Sequence, residues 1–119
     1  KTGDIGNKKH YTSKLEKKFE EILNQLDIIY SKHFYAKSIK AFYDFYLPQY
    51  NTIIEVDGDF WHCNPNKFPE AVYESQKQNL ERDKEKNKWA QDNNFKIIRF
   101  WESDINEKPE IIINSLKQL

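Results

Sequence analysis

This chain is poor in several things, and each scarcity narrows what it can be. It has one cysteine, Cys63, in 119 residues. An internal disulfide is impossible and a Cys-rich zinc site is excluded, which fits a reducing, cytoplasmic setting. No run approaches the roughly 18 apolar residues of a membrane-spanning helix, and the start carries no signal-peptide pattern. Internal repeats and low-complexity tracts are missing. So is net charge, with 19 Lys and Arg against 19 Asp and Glu. A zero balance by itself argues against a nucleic-acid binder.

What is there is aromatic and unevenly charged. Eight Phe, seven Tyr and three Trp supply apolar area for the core of a single domain. Residues 1–40 hold nine Lys against five acids. Residues 41–62 hold Asp44, Glu55, Asp57 and Asp59 with no Lys or Arg, and residues 63–119 balance. A basic flank beside an acidic, apolar segment suits a site that attracts a polyanion and holds a cation at its centre. Mixed surface charge, normal for a soluble domain, is the simpler account of this one feature.

Residues 1–11 are polar and contain Gly, and read as a linker-like start; residues 12–119 read as one domain. From Thr12, Leu15, Phe19, Ile22, Leu23 and Leu26 fall at helix spacing, and Ser13 with Glu16 makes a capping box. Residues 28–30 and 33–35 look like short strand pieces. Residues 41–47 alternate and predict a strand. Pro48 to Asn51 is a turn, and residues 52–57 are a β-branched strand ending at Gly58. A loop covers 64–69. A long charged helix is predicted over 69–93, a strand over 95–101, and a last helix from Pro109 carrying Ile112, Ile113 and Leu116. The fold class is α/β: a mixed central sheet, with an antiparallel hairpin and a later strand joined parallel through a helical crossover, flanked by helices.

Strand periodicity puts Phe42, Asp44 and Tyr46 on one face, and Ile53, Glu55 and Asp57 on one face of the next strand. A four-residue turn places Asp44 opposite Glu55; one residue more places it opposite Val56. In either register carboxylates from adjacent strands meet, and like charges across a ladder destabilise it. A bound divalent cation with hard oxygen ligands is the simplest compensation; exposure past the sheet edge, expected for Asp59, is the other. The D-G-D spacing does not fit an EF-hand. His62, just past the strand, reads as a loop histidine or as a general base near neutral pH. Capping alone accounts for Glu16. Asp83 falls on the side of the long helix that carries Leu80 and Ala90, so it is expected to face inward.

Together the stretches TSKLE (12–16), YDFYLP (43–48), IIEVDGDFWH (53–62), ERD (81–83) and FKIIRFWE (95–102) resemble the PD-(D/E)XK nuclease superfamily. Within it they resemble the Vsr-like enzymes, and most closely the phage-type homing endonucleases with the EDxHD signature. The resemblance spans most of the chain from residue 12. It implies a metal-dependent DNA endonuclease using Mg2+ or Mn2+ on double-stranded DNA, in the cytoplasm of a bacterial host if phage-encoded. Asp44 is then the principal metal carboxylate, with Glu55, Asp57 and the Val56 carbonyl as further contacts. His62 activates water, Glu16 reaches the metal or its waters, and Asp83 supports His62. Lys14, Lys17 and Arg82 would grip the DNA backbone, and Phe60 and Trp61 would wedge or stack. Two departures stand out. Asp57 occupies the place of the family's usual lysine, and Asp59 replaces a cysteine of the repair enzymes' zinc site, so no zinc is expected. The start at Lys1 suggests the catalytic part of a longer protein, with a DNA-recognition domain elsewhere. The rival readings are a non-catalytic nucleic-acid-binding domain on the same fold, a Vsr-type mismatch-repair nicking enzyme, and a hydrolase of another phosphate ester.

Overall fold

The computed structural model describes residues 13–119; the readings made for residues 1–12 lie outside the described residues. Helix α1 (Lys14–Gln25) starts at the N-cap Ser13, whose Oγ accepts from the Glu16 N–H at 3.1 Å. Its apolar spacing buries Phe19, Ile22 and Leu23. Four strands follow into one sheet, β1 (Ser31–Ala36), β2 (Ala41–Leu47), β3 (Thr52–Asp57) and β4 (Lys96–Trp101), in the spatial order β1-β2-β3-β4. The first three are antiparallel neighbours, and β4 joins β3 in parallel through the crossover helix α2 (Glu74–Asp92). This is the mixed sheet flanked by helices that the sequence predicts. Helices α3 (Glu102–Glu107) and α4 (Pro109–Lys117) close the chain. Among the described residues no helix is long and apolar enough to cross a membrane.

The sheet lies between two apolar layers. On one face Phe45, Leu47, Ile54, Val56 and Phe100 pack against Phe19 and Leu23 of α1 and against Ile105, Ile112 and Leu116 of α3 and α4. On the other face Tyr43 and Ile53 pack with Ala90 and Trp89 of α2.

Several boundaries differ from the sequence reading. The long helix begins at Glu74, not Pro69. It starts where Gln76 can cap it, its Oε1 accepting from the N–H of Val72 and of Tyr73 at 2.9 and 3.1 Å. One strand, Ser31–Ala36, replaces the two short pieces, and Ile28 and Tyr30 pack against the core from outside it. Phe95 precedes β4 because Asn94 is left-handed (φ 65°) and the Phe95 N–H bonds back to the Ala90 carbonyl. Helix α3 was not foreseen. It buries only Ile105, so it has no apolar period, and Glu102 and Asp104 in its first turn suit a helix start.

The expected alternation of β2 also breaks. Tyr43 and Tyr46 belong to the α2-side layer, while Phe45 and Leu47 belong to the other. A regular strand would keep Tyr43 and Phe45 together. The change of face falls at Asp44.

Candidate active site

Pro48 to Asn51 closes the hairpin with the shorter of the two turns, so Leu47 pairs with Thr52 and Phe45 with Ile54. The next step brings Asp44 to Glu55. There the backbone ladder gives way to side chains. The Asp44 N–H donates to Glu55 Oε1 at 2.9 Å, and the Val56 N–H donates to Asp44 Oδ2 at 2.8 Å. Carboxylates therefore stand where carbonyls would pair two strands. Glu55 is 4% exposed. Burial, the nearby Glu55 charge and Glu16 hold the Asp44 carboxyl well above its ordinary range, against the pull of the Val56 N–H and Lys86. Glu16 lies close to this edge. Burial raises its carboxyl too, although His33, Lys32 and Asp44 oppose the rise.

Two residues further along β3, Asp57 (3% exposed) turns to the α2 side. Arg99 of β4 meets it, with Nη1 at 3.0 and 3.1 Å from its two oxygens. The same Nη1 lies 3.5 Å from Asp83 Oδ1 of α2. Asp83 Oδ2 in turn lies 2.6 Å from His62 Nδ1. An acceptor on Nδ1 places the proton there and leaves Nε2 with the lone pair. Burial alone would lower the imidazole's pKa, but the Asp83 hydrogen bond and the Asp57 and Asp83 charges outweigh it, so His62 titrates above its ordinary 6.5. Burial raises the Asp57 carboxyl despite Arg99 and His62. Asp57, His62 and Asp83 each offer a ligand atom within 4.8 Å of the others. They line a cavity of about 510 Å³ with Leu80, Lys77 and Trp101.

The other singled-out residues serve varied ends. Lys14 and Lys17 are exposed on α1. The Arg82 guanidinium donates to the Ile39 and Lys40 carbonyls, both at 2.9 Å, and pairs with Glu85. Trp61 is 53% exposed, whereas Phe60 packs among Phe68, Tyr73 and Trp61. Val56 meets the site through its N–H. Asp59 is a correction: it is buried, not in solvent. Its Oδ1 accepts from the Asn64 amide at 3.0 Å and the Ser103 hydroxyl at 3.3 Å. Once α3 forms, Ser103 sits over the loop and closes it.

Sequence reading missed three groups. Lys86 pairs with Glu55 and sits over the Tyr43 ring at 4.8 Å. Its place on the same face as Asp83 and Ala90, about one helical turn from each, was the available signal. Arg99 is a cation between the apolar residues Ile98 and Phe100 of its strand, which is itself a signal. His33, whose Nε2 is 3.4 Å from Glu16 Oε1, gave none.

No protein-family model matches this chain, and no curated protein matches it. The site's chemistry therefore rests on its own geometry.

Proposed function

We propose that the chain is a metal-dependent DNA endonuclease domain with a Vsr-like PD-(D/E)XK core. One observation carries this reading. At the Asp44 edge, three acids (Glu16, Asp44 and Glu55) converge, and among the described residues the lysines near them are Lys86, which pairs with Glu55, and Lys32, which Glu16 shares with Glu20. Burying like charges together is costly unless something offsets them. At the neighbouring cluster Arg99 already stands between Asp57 and Asp83. The deficit of positive charge is thus at Asp44, and an all-oxygen donor set there fits Mg2+ or Mn2+. Asp44 and Glu55 would hold the ion, with Glu16 reaching it or its waters, and the ion would supply positive charge against the scissile phosphate.

The chain's own residues account for the proton. His62, oriented through Nδ1 by Asp83, takes a proton from water at Nε2. The water oxygen adds to phosphorus, the P–O bond to the leaving oxygen breaks, and that oxygen is protonated from solvent. Arg99 keeps Asp57 and Asp83 compensated, so Asp83 stays an acceptor for His62. Lys14 and Lys17 offer phosphate contacts, and exposed Trp61 offers a stacking face.

The test is incubation with plasmid DNA and Mg2+ or Mn2+, with EDTA and Asp44→Asn as controls. Metal-dependent nicking that Asp44→Asn abolishes is expected. Equal nicking by the variant, or none by the parent together with no cation uptake in calorimetry, refutes the reading.

A further inference from the structure

Glu16 occupies the position from which a capping-box glutamate reaches back to the N-cap. Only half of that box forms: Ser13 Oγ accepts from the Glu16 N–H, and the Glu16 side chain goes elsewhere. Its Oε1 lies 3.4 Å from His33 Nε2, both side chains being largely buried at 13% and 10% exposure. The strand that carries His33 is built to allow this. β1 and β2 pair at Lys32↔Phe45 and at Phe34↔Tyr43, and the single unpaired step between them is His33 and Asp44. His33 is left-handed there, with φ 58°, a conformation that L residues in a strand rarely adopt. Successive side chains of a regular strand point to opposite faces. Here Lys32 and His33 both reach α1, Lys32 to Glu20 at 3.2 Å and His33 to Glu16. Phe34 then joins the α2-side layer. The same irregular step frees the Asp44 side chain to turn toward Val56.

We propose that His33 is a positioning residue: its left-handed backbone and its ring draw Glu16 out of the capping role and aim it at the Asp44 edge. This rests on the reading of that edge as the cation site. A salt link that merely ties α1 to the sheet would use a regular strand residue and would leave the ladder paired. The His33/Asp44 step instead opens the ladder on both strands at the one place where the acids converge.

The test is a double-mutant cycle with His33→Gly and Glu16→Gln, read by Mn2+ calorimetry on the purified chain. Glycine tolerates the left-handed step, so the variant removes the ring without adding strain. His33→Gly and Glu16→Gln are each expected to weaken Mn2+ binding about 10–100-fold, and the double variant no more than Glu16→Gln alone. Wild-type affinity in His33→Gly, or losses that multiply in the double variant, overturns the proposal. The same cycle in urea without metal reads the His33–Glu16 contact itself, and zero coupling there overturns the proposal independently. A parent chain that takes up no Mn2+ instead refutes the cation reading of Asp44.

Discussion

Replacing Asp44 by Asn should stabilise the protein and abolish its response to Mg2+. The amide keeps an oxygen for the Val56 N–H, which donates to Asp44 at 2.8 Å. Exchanging a charge-assisted acceptor for a neutral one costs about 1 kcal/mol. Against this, the variant removes a buried charge that also faces Glu55 across the ladder. Ending the desolvation of a buried ion returns about 1.4 kcal/mol for each unit by which the folded ionisation has been lifted. Burial, then Glu55, lift it well above 3.8, so the gain outweighs the loss. A higher Tm for the variant at pH 8 is expected, each 1 kcal/mol of net gain being worth about 3–6 °C in a domain of this size. The sign follows from linkage. Between 3.8 and the raised folded value the native state binds the proton more tightly, so the parent loses stability as pH rises through that window. The advantage of the variant is therefore near zero below pH 3.8 and opens as pH rises. Mg2+ reverses the order: at about 100 times Kd it adds about 2.7 kcal/mol to the parent and nothing to the variant. Thermal melts at pH 4 and pH 8, with and without Mg2+, measure all of this. A variant less stable than the parent at pH 8, a gap that ignores pH, or a Mg2+ shift retained by the variant would refute the reasoning.

Other perturbations separate the two halves of the site. His62→Asn should lower cleavage about 10²–10⁴-fold with cation binding intact. In the parent, kcat/KM should rise with pH through an inflection above 6.5, the neutral imidazole being the active form, and Asp83→Asn should move that inflection down. Arg99→Met strands Asp57 and Asp83 without their guanidinium; a loss of about 3–5 kcal/mol in urea at pH 7 is expected, shrinking as pH falls and Asp57, its carboxyl raised by burial, takes up a proton. Asp59→Ala leaves Asn64 and Ser103 without their shared acceptor; a loss of about 1–3 kcal/mol is expected, with calorimetric Mn2+ affinity unchanged.

The sequence showed most of the frame because the frame obeys local rules. Leu15, Phe19, Ile22 and Leu23 gave α1 by spacing, Pro48 and Asn51 gave the turn though not its length, and a helix before β4 gave a parallel strand. Legibility fails where one residue answers to a distant one. Nothing near Glu16 says that its carboxylate will leave Ser13 for His33. Nothing near Asp59 says that Ser103 will cover it, since α3 has only Ile105 to declare itself. Lys86 is one lysine among several on a charged helix, and only the fold shows that it meets Glu55.

One group of exceptions does fall together. The left-handed His33, the missing ladder step, the reversal of face along β2, the half-made capping box and the like charges of Asp44 and Glu55 all fall at one place. Each costs stability on its own. The steps on either side, Lys32↔Phe45 and Phe34↔Tyr43, are regular and backed by apolar layers on both faces, and such surroundings are what hold a strained segment in place. A fold selected for stability alone would have no reason to gather its exceptions where two strands and a helix bring three carboxylates together. Exceptions that cost stability, gathered at one step between regular pairs, are where a functional site is expected. That concentration, more than any single residue, is the argument for chemistry at Asp44.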